Sequence, residues 1–153
     1  SSGTQVAAHV AAKRPDLVAA TVLASPTVDP KARSVPRALY YWRRDSAYPM
    51  PGLSDSHKPE WRRAGPRRIV HLMRTHLRDR LEDTVPRIRG PVLVLLGRED
   101  RLCTERWARE LAEAAADGRL VVVPGPHTFL WRDPAVWSDP LRDLAANVRE
   151  TAP

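Results

Sequence analysis

A chain of 153 residues is long enough for one domain with its own core, and at 42% hydrophobic and 28% charged it is too apolar to be disordered. No apolar run approaches the roughly 20 residues of a membrane-spanning helix; the single cysteine, Cys103, excludes an intrachain disulfide and fits a reducing, cytoplasmic setting. The net charge of +7 is almost all arginine and gathers between residues 31 and 89, where 15 basic side chains stand against 6 acidic ones. No helix-turn-helix, zinc-ligand or RNP-like pattern accompanies it, so the excess reads first as a solvated basic face, and no nucleic-acid partner is expected.

The first predicted element is a helix over residues 4–14, TQVAAHVAAKR, which is alanine-rich, has Val6 and Val10 four apart, ends on basic residues and meets Pro15 just beyond. AATVLASP then reads as a buried strand closed by Pro26. Residues 27–86 differ in kind: proline-rich at first, aromatic in LYYWRRDSAYPMPG, then helical in PRRIVHLMRTHLRDRLED. There Ile69, Met73, Leu77 and Leu81 are spaced as one stripe to bury, with Pro66 in the first turn and Val85-Pro86 as the stop. The favoured role for Tyr40, Tyr41, Trp42, Tyr48 and Trp61 is closure over a core; lining a pocket is the alternative.

Two further strands are predicted in PVLVLLG and RLVVVPG, both continuously apolar, as strands covered on two faces are. Between them TERWARELAEAAADG starts at a plausible N-cap, Thr104, carries Trp107, Leu111 and Ala115 on one face and ends at Gly118. A last helix follows in PLRDLAANVRE. Helix, strand, insert, strand, helix, strand, helix is the alternation of an α/β fold with a parallel sheet.

Side chains just beyond parallel strands converge on one edge of the sheet. Ser1 before the first helix, Asp100 three residues after Gly97 and His127 two residues after Gly125 are the polar candidates for that edge. Bland alternatives stand beside each: an N-cap serine, a turn carboxylate with Glu99 equally at hand, and a loop histidine. His71 and His76, five apart on a helix, face different ways, and no metal site is expected. Cys103 reads as a small buried residue.

SSGTQVAAHVAAKRPDLVAATVLASPTVDP, PVLVLLGREDRLCTERWARELA and GRLVVVPGPHTF, in this order, resemble the C-terminal portion of an α/β-hydrolase of the esterase and lipase-like superfamily, starting at the nucleophile elbow. The resemblance implies a partial α/β-hydrolase fold: parallel strands alternating with helices (1–26 and 87–153) plus a helical lid insertion (27–86). It also implies a cofactor-free triad with Ser1 as nucleophile, His127 as base and Asp100 as acid, Asp29 being the alternative acid. The Ser2 N–H would be one oxyanion donor and Gly3 the small residue of the elbow turn.

Small uncharged or amphipathic carboxylic esters are then the expected substrates, with carbon–carbon bond hydrolysis or cofactor-free haloperoxidation as other uses of the same triad. A basic nucleic-acid or anion-binding module, and a serine activated by its own amine, are the readings from other classes. The first glycine of Gly-x-Ser-x-Gly, the strand leading to it and the second oxyanion donor would precede Ser1. The 153 residues alone are therefore expected to be weak or inactive, and to self-associate through the edge of the first strand.

Overall fold

The computed structural model describes residues 1–151. Three parallel strands form its centre: β1 (Thr21–Ala24), β2 (Val92–Gly97) and β3 (Gly118–Val123), in the order β1-β2-β3. Thr21 pairs with Val92 and Ala24 with Leu95; Val92 pairs with Gly118 and Gly97 with Val123. β1 is an edge of this sheet, as expected.

The unbroken apolar run of β2 is explained by burial on both faces. Val92, Val94 and Leu96 enter one core with α1 (Gly3–Lys13) and α5 (Glu105–Ala114), which contribute Ala8, Ala11, Trp107 and Leu111. Leu93 and Leu95 enter a second core, with Phe129 and the partly buried Val136, Trp137 and Leu141 of α6 (Ala135–Thr151). Each fully buried leucine contributes about 1.5–3 kcal/mol. Thr104 caps α5 by accepting from Trp107 N at 3.1 Å, and the indole of Trp107 donates to Pro26 O at 3.2 Å.

α5 stops at Ala114, short of the expected Gly118, which instead starts β3. A Cβ at Gly118 would fall 1.8 Å from Ala112 O, so the helix end and the strand start approach too closely for any side chain.

The insert is helical: α2 (Val35–Asp45), α3 (Leu53–Arg78) and α4 (Leu81–Thr84). α3 is two helices meeting at Gly65, at φ 71 and ψ 163, so Pro66 does begin a helical run. The predicted stripe does not hold. Asp79 is extended and bonds His9 at 3.0 Å, which ends α3 and drops Leu81 into the core at 1% exposure, whereas Ile69 and Met73 stay 36% and 37% exposed. Gln5 ties α1 to the insert, donating to Thr27 O and His76 O at 3.0 Å each and bonding the His76 ring. Arg33 adds a fork on Glu82, both contacts at 2.6 Å. Among the described residues no helix is long and apolar enough to cross a membrane.

Candidate active site

Parallel pairing brings the carboxyl ends of the three strands to one edge. The segments that leave them carry Ser25–Asp29, Arg98–Asp100 and Pro124–His127. Ser1 reaches the same edge because its backbone nitrogen donates to Ala24 O at 2.6 Å. α1 starts there at once, with Thr4 N and Thr4 Oγ1 donating to Ser1 O at 2.9 and 2.6 Å. The first amides of a helix have no carbonyl four residues back, so the Ser2 and Gly3 N–H groups point out of the helix start, where its dipole is positive.

Gly97 brings the acid and histidine segments together. A Cβ there would lie 2.3 Å from Gly125 O and 2.5 Å from Pro126 O. Gly125, at φ 127, makes the turn that a side chain would strain. Glu99 clamps this turn: its backbone N–H donates to Gly125 O at 3.0 Å and its carboxylate accepts from Gly125 N at 2.6 Å. Of the two neighbouring carboxylates, Glu99 thus holds the loop and Asp100 meets the imidazole.

His127 Nδ1 lies 2.9 Å from Asp100 Oδ2, with side chains 7% and 0% exposed. Asp100 Oδ1 accepts from Leu102 N and Cys103 N at 2.8 and 2.9 Å. Burial works to raise the Asp100 carboxyl, but the His127 hydrogen bond and charge and the Cys103 N–H outweigh it, holding the group below its ordinary range. The nearby Ser25 hydroxyl adds to this without a well-formed hydrogen bond of its own. Asp29, the alternative acid, is spent elsewhere. It accepts from Lys31 N at 2.9 Å and from Thr104 N and Oγ1 at 3.0 and 2.5 Å, fastening the first strand's exit to the start of α5.

Ser1, Ser2, Thr27 and His127 line one cavity of about 610 Å³, whose other wall is the insert. No hydrogen bond joins Ser1 to His127 among the described residues, and a Cβ at Gly3 would meet nothing within 4 Å. A more open cleft of about 690 Å³ near Lys13, Arg87 and Arg89 holds no comparable acid–base pair. The expected closure of aromatics over the core is corrected. Trp42, Tyr48 and Trp61 line the cavity, Tyr40 is 54% exposed, and Trp42 and Trp61 are 44% and 47% exposed.

Asp45, at the end of α2, was not singled out from sequence. It is 6% exposed, lines the cavity, and its Oδ1 accepts from both Arg101 N at 3.2 Å and His127 N at 3.1 Å. One oxygen of the insert therefore fastens both the acid and the histidine segments. Burial raises the Asp45 carboxyl above its ordinary range; the two backbone N–H groups oppose this, the Asp100 charge adds to it, and the His127 charge opposes it. The only sequence signal was an aspartate at a helix C-terminus, where the macrodipole disfavours it.

Cys103 is buried, and burial followed by the charges of Asp100 and Asp29 pushes its thiol well up. No cluster of three or more metal-binding side chains occurs among the described residues.

No family model and no curated protein sequence matches the chain. Solved structures do. A chain assigned as a non-heme bromoperoxidase from Mycobacterium tuberculosis is 22% identical, with TM-score 0.67, over 96% of this chain and 65% of its own. A membrane phospholipase A described as a bacterial virulence factor is 18% identical, with TM-score 0.72, over 97% and 55%. A thermophilic esterase from Thermogutta terrifontis is 18% identical, with TM-score 0.60, over 95% and 62%. The chain thus spans less than two thirds of the length of these neighbours. With its parallel sheet, helix-covered faces and insert after the first strand, the chain has part of the α/β-hydrolase fold.

Proposed function

We propose that the protein carrying this chain is a serine hydrolase of carboxylic esters, with Ser1, His127 and Asp100 as its triad. The observation that carries this reading is the buried His127–Asp100 pair, 2.9 Å apart, in a histidine segment that shares a cavity with Ser1. A histidine held through Nδ1 by an ionised carboxylate presents Nε2 as a base and tolerates becoming cationic. In the proposed sequence Ser1 Oγ attacks the ester carbonyl while His127 takes its proton, and the tetrahedral oxyanion meets the Ser2 N–H. Collapse breaks the carbon–oxygen bond and His127 returns the proton to the leaving alcohol. Water repeats the cycle on the acyl-enzyme, releasing the acid and restoring Ser1.

The test is hydrolysis of a short-chain p-nitrophenyl ester by the protein that carries this chain, compared with Ser1→Ala and His127→Ala. The expected loss in kcat is on the order of 10⁴-fold or more for each single variant, because triad members act as a unit. A Ser1→Ala protein as fast as wild type would sink the assignment.

A further inference from the structure

Asp45 is a buried carboxylate whose polar partners are two backbone N–H groups, both on Oδ1; no hydrogen bond reaches Oδ2 among the described residues. Neither lysine nor arginine lines its cavity, although residues 27–86 hold most of the chain's basic excess. Arg43 and Arg44 precede Asp45 by two and one positions and so leave α2 on other faces; Arg44 leans on Tyr40, 5.7 Å from the ring centre. Trp42 precedes Asp45 by three positions, the spacing that puts both on one face. Its ring packs against that of Trp61, centroids 6.3 Å apart, and Trp61 in turn lies 5.9 Å from His57, all three lining the cavity.

A carboxylate that makes no ion pair with lysine or arginine among the described residues, beside two half-exposed indoles, is the chemistry that binds an organic cation. We infer that the cavity takes substrates bearing a protonated amine, with Asp45 as counter-ion and Trp42 and Trp61 as the aromatic wall. The substrate class, an ester with an ammonium group, rests on the hydrolase reading; the cation site does not. Carboxylate-bearing analogues are refused on the same grounds, since they would put like charge beside Asp45 and Asp100.

Pentylammonium, pentan-1-ol and pentanoate are matched probes, titrated at about pH 8, where a free imidazole is neutral. The readout is the NMR shift of the Trp42 and Trp61 indole N–H groups and of the His127 amide. Pentylammonium is expected to bind roughly tenfold or more tightly than pentan-1-ol, and pentanoate most weakly. Asp45→Asn keeps an oxygen for both backbone N–H groups and removes the charge, so the amine should lose about tenfold and the ranking should collapse. Trp61→Leu, at a half-exposed position, should also weaken the amine more than the alcohol.

The proposal is overturned if pentylammonium fails to bind, if the alcohol binds as tightly, or if Asp45→Asn leaves the ranking intact. Should Asp45→Asn not fold, equal losses for amine and alcohol in Trp61→Leu overturn it instead. Turnover is measured separately, as kcat/KM for 4-aminobutyl acetate over pentyl acetate. A protein that ranks the probes as expected but hydrolyses neither ester faults the hydrolase reading alone.

Discussion

Gly97→Ala is the substitution that most directly probes how the strand ends hold the site. The added Cβ would stand 2.3 Å from Gly125 O, 2.5 Å from Pro126 O and 3.1 Å from Gly125 C. All three are backbone atoms, so no rotamer change relieves them, and the segment leading to His127 must retreat by the better part of an ångström. That segment is also held by Glu99 through contacts of 3.0 and 2.6 Å, which the retreat stretches. Overpacking of this kind costs about 1–3 kcal/mol. For a chain of this size that is a fall in Tm of roughly 3–10 °C. The consequence for catalysis is larger, because His127 moves relative to Asp100 and to Ser1; a shift near 1 Å is worth about 10²-fold in rate. Thermal melts and kcat for a p-nitrophenyl ester read the two effects separately. A variant within about twofold of wild-type kcat and with an unchanged melt would be incompatible with the close approach of Gly97 to the Gly125–Pro126 backbone.

Three further outcomes are expected. Asp45→Ala leaves two backbone N–H groups without their acceptor and should cost about 1–3 kcal/mol, most of it recovered by Asp45→Asn; equal melts for wild type and Asp45→Ala would contradict this. Because Asp100 is held below its ordinary range, it contributes stability above that range and loses it as pH falls through its folded value. Urea melts of wild type and Asp100→Asn should therefore differ most near neutrality and converge in acid, and a gap that widens in acid would be evidence against the pairing. Cys103, with its thiol pushed up by burial and by two carboxylates, should resist iodoacetamide in the native protein at neutral pH and react once unfolded; rapid native labelling would contradict its burial.

The core and the meeting of Asp100 with His127 were legible because they depend on local pattern plus one topological rule. β2 reads as doubly covered from PVLVLLG alone, and parallel pairing then carries Asp100 and His127 to one edge although they are 27 residues apart. What escaped the sequence depends on the path of the insert. Asp45 meets His127 across 82 residues, through a helix whose direction no local signal specifies. The spacing of Ile69, Met73, Leu77 and Leu81 was helical, but Asp79 ended the helix in order to reach His9, and only Leu81 was buried. Glu99 and Asp100 were separable by position from Gly97, but their division of labour was not, since it follows from which carboxylate faces the Gly125 turn.

In the proposed function Ser1 is a nucleophile activated by His127. The most direct measurement is covalent labelling of the protein that carries this chain with a fluorophosphonate, followed by mass-spectrometric mapping of the adduct. One adduct is expected, on Ser1, formed in wild type and abolished in His127→Ala. An adduct on another residue, or labelling of Ser1 that persists undiminished in His127→Ala, would contradict it.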